Sequence, residues 1–230
     1  MGNLSYKEVF CSEDGFGRRL WVMGHEVGHV NQTRPGMKWH GTTEVTNNLY
    51  ALYNQEQLHG VARRLTTGEG SQGYSSGGND GYRAAFEKII DAKRDWYMAG
   101  ESFSSNHITR LAPFWQLYLY MVHIEKQEHF YHDVFEHFRN NESPSTPGLQ
   151  ILDFVRTVCN ISEINMLDFF EQWGFLRPMD FQIDDYGVKI IYLSQSDIDN
   201  LKSEIRSKGY KEPSIKVHEV TDENYKQYVK

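Results

Sequence analysis

The sequence predicts a predominantly α chain that ends in a small β element. Two observations carry that expectation. Apolar residues recur at three- and four-residue spacing in successive segments up to Trp173, and beyond Pro178 this gives way to short apolar runs on either side of Asp185-Tyr186-Gly187.

The elements follow in order. Over 18–32, Leu20, Val22, Met23, Val27 and Val30 mark a helix largely buried in a domain, which Arg34-Pro35-Gly36 stops. Gly41-Thr42-Thr43-Glu44 then offers a threonine N-cap and an acidic first turn, so a second helix is expected over 43–59. The Gly- and Ser-rich stretch 66–81 reads as a mobile surface loop, either a lid or, more simply, an insertion. Helical spacing resumes from Tyr82 to Trp96, and Pro113 suits the first turn of a helix that runs to Val122. Further helices are expected over 128–139, 149–158 and 162–173, the last with Ser162 in its N-cap region. After the hairpin, 196–208 reads as a polar helix and 209–230 as a loosely held tail. We expect 1–180 to form the helical lobe of one domain and 181–230 to close that same domain.

With 230 residues, net charge −7 and pI near 5.8, the chain has the size and charge of a single domain. No Lys/Arg cluster supplies the concentrated positive charge that nucleic acids or anionic membranes require, so neither is expected as a partner. The longest apolar stretch, 111–124, is broken by Gln116 and His123 and is shorter than the roughly 20 residues of a spanning helix. The N-terminus has no basic stretch followed by an apolar run, so no signal peptide is expected here. Cys11 and Cys159 permit one bridge and exclude a disulfide-rich scaffold.

His25-Glu26-Val27-Gly28-His29 is the motif that carries chemistry. On a helix, residues four apart share a face, so His25 and His29 can present two imidazole nitrogens to one metal ion. Glu26 lies about 100° round the helix, close enough to serve a water as general base without being a ligand. Catalytic zinc takes a third protein ligand and leaves a position for water, and Glu44 is the candidate. The alternative role for Glu44 is a helix cap. Gln32, Asn47 and Asn48 follow His29 and Glu44 at helical spacing and either contact the ligands or substrate, or face solvent. His123, His129, His132 and His137 lie among Glu128, Asp133 and Glu136 and read as ion pairs on a solvated face. A core role is expected of His107, Tyr118 and Tyr120, and no residue stands out as the oxyanion donor.

The segments Trp21-Val22-Met23-Gly24-His25-Glu26-Val27-Gly28-His29-Val30-Asn31-Gln32 and Trp39-His40-Gly41-Thr42-Thr43-Glu44-Val45-Thr46-Asn47-Asn48 resemble the active-site signature of the enhancin-like, mucin-degrading zinc metallopeptidases of the gluzincin group. The close likeness covers 11–55, with weaker similarity over 111–120 and near Phe181. The resemblance implies the helical lower lobe of a zincin fold, Zn2+ held by His25, His29 and Glu44, and Glu26 as general base. It also implies glycoprotein or mucin-type substrates and a location outside the cell or at its surface.

In gluzincins a mixed sheet precedes the active-site helix, yet only 24 residues precede His25. The chain therefore reads as the C-terminal part of a larger catalytic domain, with a helix face left open for self-association. The competing expectation is a non-catalytic module of a larger surface protein that binds glycan or protein and retains the zinc motif. Glu26 favours the enzyme, because a purely structural zinc site has no use for it. A metal-free fold with an accidental motif is the third reading.

Overall fold

The computed structural model describes residues 13–33, 35–60, 62, 64–66, 81–97 and 107–229. The architecture is mainly helical with one two-stranded antiparallel sheet. The predicted loop over 66–81 lies almost wholly outside the described residues, as does Cys11. Its possible partner Cys159 is a free, buried thiol whose pKa burial pushes up to about 12.

Helix α1 (Glu13–Asn31) packs along α2 (Asn48–His59), and two glycines make the contact close. A β-carbon on Gly28 would stand 2.1 Å from the Asn47 carbonyl oxygen, and one on Gly24 would stand 2.7 Å from Ala51 Cα. The outer face of α1 leaves Met23, Val27 and Val30 exposed at 42%, 49% and 85%. The second helix begins later than its capping sequence indicates. Residues 43–47 form consecutive tight turns, with Val45 N bonded to Thr42 O at 2.9 Å and Asn48 N to Val45 O at 3.0 Å. Thr42 does not cap, because its hydroxyl donates backward to Trp39 O at 2.7 Å. Glu44 therefore sits in these turns and not in the first turn of a helix, so the dipole of α2 does not hold it.

Helix α3 (Gly81–Ala85) continues as a π-helical segment, Phe86–Asp91, and ends short of Trp96. Lys93 turns the chain at φ +50°, and Trp96 is thereby buried and stacked on Phe175 at 5.2 Å. Helix α4 (His107–Tyr118) has Pro113 inside it, and a π-helical segment, Leu119–Ile124, extends it. Burial of every residue from Thr109 to Tyr118 outweighs the proline's preference for a first turn. Helices α5 (Phe130–Asn140), α6 (Pro147–Ser162) and α7 (Leu167–Gln172) follow. Ser162 closes α6 instead of capping α7: its hydroxyl donates to Val158 O at 2.7 Å, and Leu167 N donates to Asn165 Oδ1 at 3.3 Å.

Strands β1 (Met179–Asp184) and β2 (Val188–Leu193) pair from Met179 opposite Leu193 to Asp184 opposite Val188. The hairpin packs tightly on the start of α6, where a β-carbon on Gly148 would lie 1.9 Å from Tyr192 O. Helix α8 (Gln195–Ser207) is capped by Ser194, whose Oγ accepts from Asp197 N at 3.1 Å.

The tail is docked, contrary to the expectation from its polarity. Asp222 is buried, accepting from Tyr82 Oη at 2.8 Å and from Trp115 Nε1 at 3.1 Å. Gln116, fully buried, donates to His218 O at 2.9 Å and Val220 O at 2.7 Å. These polar partners lie elsewhere in the fold and satisfy groups that would otherwise cost free energy on burial.

An aromatic core lies under the loop that carries Glu44. Trp39, from that loop, meets Phe154 at 5.3 Å, Trp96 at 5.9 Å and Phe114 at 5.9 Å. Such ring pairs add to the burial of large apolar surfaces and anchor Trp39, and with it this loop, in the core.

Candidate metal centre

Helical spacing places His25 and His29 one turn apart on α1, and the close α1–α2 contact sets them against the turns at 43–47. Three donor atoms converge there. His25 Nε2 and His29 Nε2 are 3.2 Å apart, and Glu44 Oε2 stands 3.2 Å from the first and 3.4 Å from the second. Among the described residues this is the group of His, Cys, Asp and Glu side chains able to hold a metal ion.

The donor set tests well against a metal. Four tetrahedral ligands about 2.0–2.1 Å from zinc lie roughly 3.3–3.4 Å from one another, close to the three separations seen here. Two imidazoles and one carboxylate are also the ligand types of a catalytic zinc site that keeps a position open. The carboxylate pushes the His25 pKa up, and His25 in turn helps lower that of Glu44 to about 2.

Asn48 sets the orientation of His25. Its Nδ2 donates to Glu44 O at 2.8 Å, which turns Oδ1 toward His25 Nδ1 at 2.9 Å. With Nδ1–H donated to Asn48, Nε2 is the ring nitrogen left on the Glu44 side for a metal ion. Asn47 is fully buried beside them, with Nδ2 at 3.2 Å from His29 Nε2 and 3.4 Å from His25 O. Its 3.0 Å approach to His25 Nδ1 cannot be a hydrogen bond in this tautomer.

Gln32 lies apart from the donors. Its amide donates to Thr46 Oγ1 at 2.6 Å and Thr42 O at 3.3 Å, so it braces the turns on either side of Glu44. Glu26 is exposed on α1, where its charge acts on His25 and Tyr186. His107, half-buried at the start of α4, has its pKa lowered by burial and by Arg110, and feels the charges of Glu44 and His25. Tyr118 and Tyr120 are buried and donate to Glu56 and Glu125. The histidine cluster divides: His132 pairs with exposed Asp133 at 2.9 Å, whereas His123 Nε2 lies 2.7 Å from the buried carboxylate of Glu56. Beside the metal donors a cavity of about 720 Å³ is lined by His29, Trp39, His40, Gln150, Tyr186 and Lys189, among others.

The family model for peptidase M60, enhancin and enhancin-like, matches residues 3–174. The chain belongs to this family. M60 structures share its fold. One similar structure is a metallopeptidase in complex with Tn antigen, 25% identical at a TM-score of 0.75, with 94% of this chain and 38% of that one covered. Another, a metallopeptidase from Bacteroides thetaiotaomicron, is 24% identical at a TM-score of 0.72, covering 94% and 33%. The M60 catalytic domain of Clostridium perfringens ZmpC, in complex with the sialyl T antigen, is 23% identical at a TM-score of 0.53, covering 89% and 32%. The chain thus spans about a third of the length of these structures. No curated protein sequence matches it.

Sequence reasoning missed four residues that shape this M60 centre. Gly24 and Gly28 precede the two histidines, and their four-residue spacing is a readable sign of close helix contact. Asp185 and Tyr186 come from the hairpin tip: Tyr186 Oη donates to Glu44 Oε1 at 2.6 Å, and Asp185 Oδ2 accepts from Gly41 N at 2.7 Å. Nothing local in the sequence ties that turn to Glu44.

Proposed function

We propose that this M60 chain carries the active-site lobe of a zinc endopeptidase that cleaves glycosylated proteins such as mucins, with His25, His29 and Glu44 as ligands and Glu26 as general base. The observation that carries this reading is the convergence of two imidazole nitrogens and one carboxylate oxygen at mutual distances of 3.2–3.4 Å. Bound there, zinc would supply Lewis acidity, polarising a scissile carbonyl and making water more acidic.

The remaining work falls to side chains of this chain. The Glu26 carboxylate takes a proton from the attacking water and passes it to the leaving amine nitrogen. Asn48 holds the proton on His25 Nδ1 and thereby keeps Nε2 free to coordinate. The adjoining cavity gives a substrate side chain room beside His29. The relatives solved with Tn and sialyl T antigens support an O-glycosylated substrate, and such a substrate in turn supports a location outside the cell or at its surface. No helix among the described residues is long and apolar enough to cross a membrane. Residues 1–180 would form the helical lobe and 181–230 would close it, because the hairpin tip reaches the site from the second segment.

Elemental mass spectrometry of the purified chain tests the ligand set. About one equivalent of zinc is expected in the wild type and in Glu26→Gln, with loss in Glu44→Ala. Cleavage of an O-glycosylated peptide, if necessary with the rest of the M60 domain supplied, should vanish in Glu26→Gln. Zinc retained at full affinity in Glu44→Ala would overturn the ligand assignment. Zinc bound without any cleavage would favour the non-catalytic module.

A further inference from the structure

The tip of the β1–β2 hairpin holds Glu44 by side chain and by backbone. Tyr186 donates its hydroxyl proton to Glu44 Oε1 at 2.6 Å, across a sequence separation of 142 residues. The other carboxylate oxygen, Oε2, is the one that faces His25 Nε2 and His29 Nε2 at 3.2 and 3.4 Å. The neighbouring Asp185 is buried, and its Oδ2 accepts from the backbone amides of Gly41 at 2.7 Å and Thr43 at 3.4 Å. Two residues before Asp185, on β1, Ile183 O lies 3.2 Å from His40 Nε2.

Both partners are held rigidly. Gly41 has φ +101°, and a β-carbon there would stand 2.3 Å from Tyr97 Cε1. Its carbonyl accepts from the buried Arg110 Nη1 at 2.8 Å. Tyr186 occupies the left-handed region at φ +58°, uncommon for a bulky residue, and Gly187 N closes the tip onto Asp184 Oδ1 at 2.9 Å. Tyr186 is nonetheless 82% exposed, so its ring contributes little to the core.

We infer that Tyr186 is a positioning residue for the metal centre, engaging Glu44 Oε1 so that only Oε2 is presented with the two imidazoles, while Asp185 anchors the loop that carries Glu44. This rests on the reading of His25, His29 and Glu44 as metal ligands. A carboxylate with one oxygen committed to a hydroxyl binds a metal through the other, whereas a carboxylate free to turn can chelate through both and occupy a position that substrate needs. Hydrogen-bond partners of ligands commonly change metal affinity by about 10–100-fold when removed.

The test is a double-mutant cycle on the full chain, read as zinc affinity by chelator competition and as the visible spectrum of the cobalt-substituted protein. Tyr186→Phe should weaken zinc about tenfold and lower the cobalt absorption toward that of higher coordination, with the melting temperature of the metal-free chain unchanged. In a Glu44→Ala background the same substitution should have no further effect on affinity. Unchanged affinity in Tyr186→Phe, or an equal loss in both backgrounds, would overturn the inference while leaving the ligand set intact. A wild-type chain without zinc, or a Glu44→Ala variant that binds as well as wild type, would overturn the ligand reading and this inference with it.

Discussion

Asn48 Oδ1 lies 2.9 Å from His25 Nδ1, and the same amide donates to the backbone carbonyl of Glu44 at 2.8 Å. One buried side chain thus couples the orientation of a histidine to the backbone position of the carboxylate it faces. Asn48→Ala should lower zinc affinity about 10–100-fold, measured by chelator competition, because the His25 tautomer is no longer specified. Asn48→Asp retains an acceptor for Nδ1–H and should recover part of the loss. Equal affinity in wild type and Asn48→Ala would show that the tautomer is set elsewhere.

Gly28 allows α1 to rest on the Asn47 carbonyl, 2.1 Å from where a β-carbon would be. Gly28→Ala should displace α1 and cost about 1–3 kcal/mol of stability, the range for forced overpacking. Zinc affinity should fall with it, since His29 is the next residue on that helix. Thermal unfolding and zinc titration of the same preparation check both effects.

Asp222 provides a pH signature of its own, through contacts with Tyr82 and Trp115. Burial raises its pKa from the ordinary 3.8 to about 6, although the bonds from Trp115 and Tyr82 pull the other way. The folded chain holds this proton between those two values, where the unfolded chain has released it. The associated stability is therefore complete below about pH 4 and is lost as pH rises through about 6. Asp222→Asn should remove this component, so that the melting temperature of the wild type relative to the variant falls across that window. A constant difference from pH 4 to pH 7 would count against it.

Met23, Val27 and Val30 form an exposed apolar stripe along α1, on a helix whose opposite side packs on α2. At high concentration the isolated chain should self-associate through this stripe, and Val27→Lys with Val30→Lys should reduce the association. Sedimentation velocity over a concentration series decides, with a concentration-independent monomer as the contrary result.

The parts of the site legible in the sequence were those set by local geometry. His25 and His29 needed only the helical repeat, whereas Glu44, expected in the first turn of a helix, stands in the turns at 43–47 and meets them through the close α1–α2 contact. Asn47 and Asn48 could be nominated from their spacing, but whether they faced solvent or His25 depended on how closely α1 approached α2. Gln32 was nominated in the same way, and its amide instead braces Thr42 and Thr46, because the chain beyond α1 folds back over it.

By itself, the sequence determined the helical class, the hairpin about Asp185-Tyr186-Gly187 and the shared face of His25 and His29, since each depends on residue spacing or turn chemistry within a short segment. Only the tertiary structure decided that Tyr186 and Asp185 close on Glu44, that Pro113 lies within a helix, and that the polar tail is held by Gln116 and Asp222. Those outcomes depend on which groups lose water together. Burial of Trp39, Trp96 and Phe154 in one core, and the need to satisfy every polar group carried in beside them, sets contacts between residues far apart in the chain.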